Sequence, residues 1–84
     1  MILKFIGPGF YVVGLTNGRT YECLGVEGAY FRVVDDSGED YLYQITNPGP
    51  LNDPEWPAKW EVISDSPDRR LEAAIMKYEA AKTV

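Results

Sequence analysis

Four carboxylates crowd one short stretch of this chain: Asp35, Asp36, Glu39 and Asp40 flank Ser37-Gly38. Carboxylates so grouped can hold a calcium ion or work as an acid/base pair. A calcium loop sets oxygen ligands at alternate positions and ends on a distal bidentate glutamate, and this run is too short and lacks that residue. Acid/base work needs apolar surroundings that raise one pKa, and nothing apolar surrounds this cluster in the sequence. The stretch reads as a solvated hairpin turn.

Other sources of chemistry are scarce. The chain holds no histidine, which removes the usual general base, the usual metal ligand and the Ser-His and Cys-His dyads together. Cys23 is the only cysteine, so no intrachain disulfide and no zinc knuckle forms. It alternates with Glu22 in an apolar run and reads as a small core residue. Gly7-Pro8-Gly9 and Asn17-Gly18 lack the following lysine and helix of a phosphate loop and read as turns. No catalytic, metal-binding or cofactor-binding set assembles, so the expectation is a protein that is not an enzyme and carries no cofactor.

What could position a surface is clearer. Three apolar, β-branched or aromatic runs, residues 20–26, 30–34 and 41–45, are separated by Glu27-Gly28-Ala29 and by the acidic turn. Short strands at this spacing predict an antiparallel meander. Ahead of it, residues 2–6 alternate, with Leu3 and Phe5 opposite Lys4. After it, Trp60 and Val62 alternate with Glu61 and Ile63. The charge on each opposite face turns Leu3, Phe5, Tyr21, Cys23, Phe31, Val33, Tyr43, Ile45 and Val62 inward. Gln44 places Leu42 outside.

Residues 46–59 hold Pro48, Pro50, Pro54 and Pro57, a density that forbids helix and central strand alike and predicts a long loop. The period then changes. Ser66-Pro67-Asp68 predicts a helix over residues 66–82, with serine as cap and proline at its first position. Leu71, Ala74, Ile75, Tyr78 and Ala81 form its apolar stripe. An isolated helix of this length is marginal in water, so the stripe docks on the protein's own sheet or on a partner chain.

The stretch from Leu15 to Leu24, Leu-Thr-Asn-Gly-Arg-Thr-Tyr-Glu-Cys-Leu, resembles the L-T-x-G-K-x-Y-x-V-L segment of small SH3-like barrel proteins of phage and bacteria. Val34-Asp35-Asp36-Ser37-Gly38-Glu39 is similar to their D-x-G-E hairpin, and Trp60-Glu61-Val62 to the closing strand. The resemblance covers residues 1–63 and omits the helix. It implies a mainly β fold, an SH3-like small antiparallel β-barrel; with the C-terminal amphipathic α-helix read from the periodicity, the expectation is one domain of residues 1–84. Its motifs are structural and imply no activity. In peptide-binding SH3 domains a groove tryptophan and a proline would fall at Leu42 and Gln44. Neither matches, so proline-rich recognition of the ordinary kind is not expected.

Composition bounds the partners. A chain of 84 residues buries roughly 60–65% of its unfolded surface, so its core is thin. The net charge of −5 opposes phosphate, and no direct nucleic-acid binding is expected. No apolar run approaches a membrane span, and residues 1–6 are too short for a signal peptide, which predicts a cytoplasmic protein with no membrane contact. Tyr11, Tyr30, Leu42 and Trp56 are the apolar side chains not required inside. They form the expected contact set for a protein partner. Trp56, between Pro54 and Pro57, either meets that partner or folds back over the core. A second class stands beside this one: an acidic inhibitor whose carboxylates imitate phosphates in a basic groove of a host enzyme.

Overall fold

The structure is a computed structural model and describes residues 1–7, 14–46, 48 and 58–82. Among these residues five strands run antiparallel: β1 (Ile2–Ile6), β2 (Thr20–Glu27), β3 (Tyr30–Val34), β4 (Asp40–Gln44) and β5 (Lys59–Ser64). One helix, α1 (Arg70–Lys82), follows. The strands form one sheet in the order β4-β3-β2-β1-β5. The mainly β expectation with a C-terminal helix is met. The ladder does not close on itself, because β4 and β5 each end the order.

Strand β2 is shared by both halves of the sheet. Its first part pairs with β1, Tyr21 opposite Leu3, and its later part with β3, Val26 opposite Phe31. Between Cys23 and Gly25 the register shifts, so Leu24 and Gly25 together face Arg32. An extra residue in one strand bends it and sharpens its twist, which turns the two halves toward each other. Their inward faces meet over Leu3, Phe5, Tyr21, Cys23, Phe31 and Val33, all buried. Trp60 packs among them, its ring edge-on to Phe5, Phe31 and Tyr43 at centroid distances of 5.7, 6.4 and 6.2 Å. Its indole N–H donates to Gln44 O at 3.0 Å, which ties β5 to the end of β4 across the open side.

The alternation assigned most of this interior. Tyr43 and Val62, expected inside, are half-buried and pack against the cluster rather than within it. Leu15, Ala58, Leu71 and Ala74 complete it. Leu71 and Ala74 settle where the helical stripe goes: it docks on the chain's own sheet, with Ile75 and Tyr78 at its margin.

The start of the helix departs from the expectation. Residues 66–69 do not belong to it. Arg69 N–H donates to Ser66 O at 2.9 Å, closing a turn, and Arg69 has φ of 56°, which no helix accommodates. Ser66 Oγ still accepts from Arg70 N–H at 3.0 Å. The stronger cap is Asp65, whose carboxylate accepts from Leu71 N–H at 2.9 Å and Glu72 N–H at 3.0 Å. The turn folds the chain back so that a residue five places before the helix reaches its first amides. Burial pushes the Asp65 carboxyl up, but the Leu71, Glu72 and Ser66 donors outweigh it and hold the pKa below the usual value.

Candidate functional site

Two of the four expected contact residues lie on one surface. On β3, Tyr30 and Arg32 point outward, opposite Gln44 and Leu42 of β4. Tyr30 and Leu42 are therefore diagonal neighbours on the outer face, close enough for their side chains to be covered together. Tyr30 is 41% exposed and Leu42 43%. Leu24, pushed outward at the bulge of β2, is also exposed and lies across Arg32 from Leu42. Tyr11 and Trp56 lie outside the described residues, as does most of the proline-rich stretch.

Arg32 sits at the centre of this face. Its guanidinium holds Glu27 of β2 through two nitrogens, and its Nη1 donates to Asp40 Oδ2 of β4 at 2.9 Å. One side chain thus spans three strands. The Glu27 and Asp40 carboxylates push the arginine pKa further up, and Arg32 in turn holds Glu27 below the usual carboxylate range. The cation is fully paired within its own surface, against two carboxylates, and Leu24, Tyr30 and Leu42 lie around it.

Residues 36–40 of the acidic turn are exposed, as its composition implies, but Asp35 is not. Asp35 is 8% exposed. Its carboxylate accepts from the Tyr43 hydroxyl at 2.7 Å, from Ser37 N–H at 2.8 Å and from Ser37 Oγ–H. Burial pushes its pKa up, but the Ser37 and Tyr43 donors together carry it below the usual carboxylate value. Burial, with the Asp35 carboxylate beside it, pushes the Tyr43 phenol well up. Asp36 turns the other way. It accepts from Arg19 Nη1 at 2.8 Å, Thr16 Oγ1 at 2.9 Å and Tyr21 Oη at 2.9 Å. Asp36 N–H also donates to Gly14 O at 2.8 Å. Asp35 thus latches the β3–β4 turn to β4, and Asp36 latches it to β2 and the segment leading into it. They diverge, and among the described residues no three acids or cysteines gather as a metal site.

A hollow of about 400 Å³ lies beside this latch, lined by Gly14, Asp35, Ser37, Tyr41, Leu42 and Tyr43. Gly14 forms its tight wall. It has φ of 95°, and a Cβ there would stand 2.6 Å from Asp35 Oδ2 and 2.8 Å from the Tyr43 hydroxyl. Only glycine fits both the backbone and the gap.

Cys23 is buried, as its alternation predicts, and burial pushes its thiol pKa up. It is a packing residue rather than an activated thiol. The latch escaped the sequence because burial of Asp35 depends on a strand folding back over it; Tyr43 eight residues on was the available hint. Compared with known protein families, curated proteins and solved structures, the chain matches none.

Proposed function

We propose that this protein is a non-enzymatic protein-interaction module of bacterial or phage origin, acting in the cytoplasm and built as an SH3-like small barrel. The carrying observation is the outer face of β3 and β4, where Tyr30 and Leu42 stand exposed around the paired Arg32. The barrel reading draws on the strand order, the bent and shared β2, and the Trp60 bond that spans the open side. Tyr11 and Trp56 belong to the same proposed contact set.

The disposition of the acids favours this reading over the phosphate mimic. Glu27, Asp36, Asp40 and Asp68 are paired with arginines of the same chain. Asp35 and Asp65 are spent on internal donors. Glu39 accepts from the Tyr41 hydroxyl, so seven carboxylates among the described residues are engaged before any groove is met.

The test compares wild-type chain with Leu42→Asp and Tyr30→Ala as immobilised bait in a bacterial lysate, with melting temperature recorded for each. Interface aromatics commonly cost ~2 kcal/mol or more when truncated, roughly thirtyfold in affinity. Loss of the wild-type partner by both variants at unchanged melting temperature supports the patch. Undiminished capture by both removes it. Capture that collapses steeply with added salt transfers the proposal to the acidic mimic. Tyr11→Ala and Trp56→Ala extend the comparison to the other two positions.

A further inference from the structure

The hollow beside Asp35 carries in its wall a negative charge that meets no cation among the described residues. Their arginine ion pairs go to Asp36, Glu27, Asp40 and Asp68, and none goes to Asp35. The carboxylate is 8% exposed, yet it lines the hollow. The volume of about 400 Å³ falls within the roughly 300–1,000 Å³ of ordinary ligand sites.

An ionised carboxylate offers about four lone-pair positions. Asp35 Oδ1 takes two donors, the N–H and the hydroxyl of Ser37. Oδ2 takes one, the Tyr43 hydroxyl at 2.7 Å. Among the described residues, one position on Oδ2 is therefore left. Gly14 keeps that oxygen uncovered, because a Cβ there would stand 2.6 Å from it. A guanidinium that bonds through two parallel N–H groups needs a free position on each oxygen, and Oδ1 has none. An ammonium needs one position and matches what is left. The remaining wall suits an alkyl chain: Tyr41 and Leu42 line it, both about half-exposed. A cation is drawn to the face of a tyrosine ring. The Glu39 hydrogen bond, with the charges of Glu39, Asp35 and Asp40 around it, pushes the Tyr41 phenol up, so the field in this corner is negative.

We propose that the hollow takes the side-chain ammonium of a lysine on a partner protein, its Nζ–H donating to Asp35 Oδ2 and its methylene stem lying along Tyr41 and Leu42. A charge pair in a partly buried wall is screened less by salt than one on the open surface. The inference rests on the protein-interaction reading: Leu42 belongs both to the hollow and to the Tyr30–Leu42 face, so a partner seated on that face presents the lysine at the edge of its apolar contact.

The probe is Nα-acetyl-lysine N-methylamide, titrated into the isotope-labelled full chain beside its norleucine and arginine counterparts. The lysine probe is expected to saturate, with shifts centred on the Gly14, Ser37 and Tyr41 amides. Norleucine, the same stem without the charge, is expected to bind about tenfold or more weakly, and arginine to bind less tightly than lysine. Glu39 is exposed and does not line the hollow. Glu39→Gln is therefore expected to leave the lysine affinity within about twofold. Asp35→Asn is expected to lower it about tenfold or more, read where the variant's spectrum is that of the folded chain. Equal response to lysine and norleucine overturns the inference. So do arginine binding as tightly as lysine, shifts spread over the acidic surface, and loss of binding in Glu39→Gln. The wild-type and Glu39→Gln titrations decide the matter even where Asp35→Asn does not fold. The probe reads the hollow alone and capture from lysate reads the Tyr30–Leu42 face alone, so failure of one is told from failure of the other.

Discussion

Replacing Asp35 by asparagine is expected to destabilise the fold by about 2 kcal/mol. Asp35 keeps its charge while buried, and among the described residues no cation pairs with it, so hydrogen bonds support it. Bonds to a charged acceptor contribute about 1.5–3 kcal/mol and neutral ones about 0.5–1.5, so each of the three loses roughly 1 kcal/mol on substitution. Ser37 is exposed and recovers part of its share from water. The relief of burying a neutral group offsets some of the remainder. The depressed pKa shows that the donors outweigh burial, so the net sign is a loss. Urea unfolding reads it as a lower midpoint at unchanged slope. The pH dependence is a second test. Because the folded pKa lies below the unfolded value of about 3.9, the stabilisation is complete above that value and disappears as pH falls through the folded one. The gap between wild type and Asp35→Asn is therefore expected to be widest near neutrality and to narrow below about pH 4. A gap that is constant down to about pH 2, or absent at neutrality, would refute the assignment of Asp35 as a buried ionised latch.

At the helix, Asp65→Ala is expected to cost about 1–2 kcal/mol and Ser66→Ala at most about 1, because Asp65 serves two amides of the helix, and Ser66 N–H besides, while Ser66 serves one. Thermal melts of the two variants check the ranking. Gly14→Ala is expected to cost about 2 kcal/mol or more, since its methyl group meets the Asp35–Tyr43 bond and its φ is positive. Comparison of Gly14→Ala in wild-type and Asp35→Asn backgrounds checks this, with a smaller loss in the second.

The parts of this fold that were legible in the sequence are those where a period meets a charge. Lys4 and Arg32 each mark a wet face, which was enough to turn Leu3, Phe5, Phe31 and Val33 inward. The stripe from Leu71 to Tyr78 was legible for the same reason. Leu15 and Ala58 were not, because they lie in irregular segments where neighbours do not predict direction. The helix start was misplaced because Ser66-Pro67 is a turn as readily as a cap, and only the left-handed Arg69 decides between them. Of the contact set, Leu42 followed from Gln44 beside it, and Tyr30 from Arg32.

The pairing of β1 with β5 joins the earliest strand to the latest, Leu3 opposite Val62. The other neighbours in the sheet are consecutive in the chain. During synthesis, β2, β3 and β4 can pair as soon as each emerges. Leu3 and Phe5 must wait for Trp60, which completes their cover. Bringing such distant segments together carries a loop-closure cost that local hairpins avoid, although it grows only slowly with the intervening length. A nascent chain that has not yet released β5 therefore carries a meander without a finished interior. In that interval the buried face of β1 is open to chaperones and proteases, and the rate of reaching Ser64 sets how long the exposure lasts.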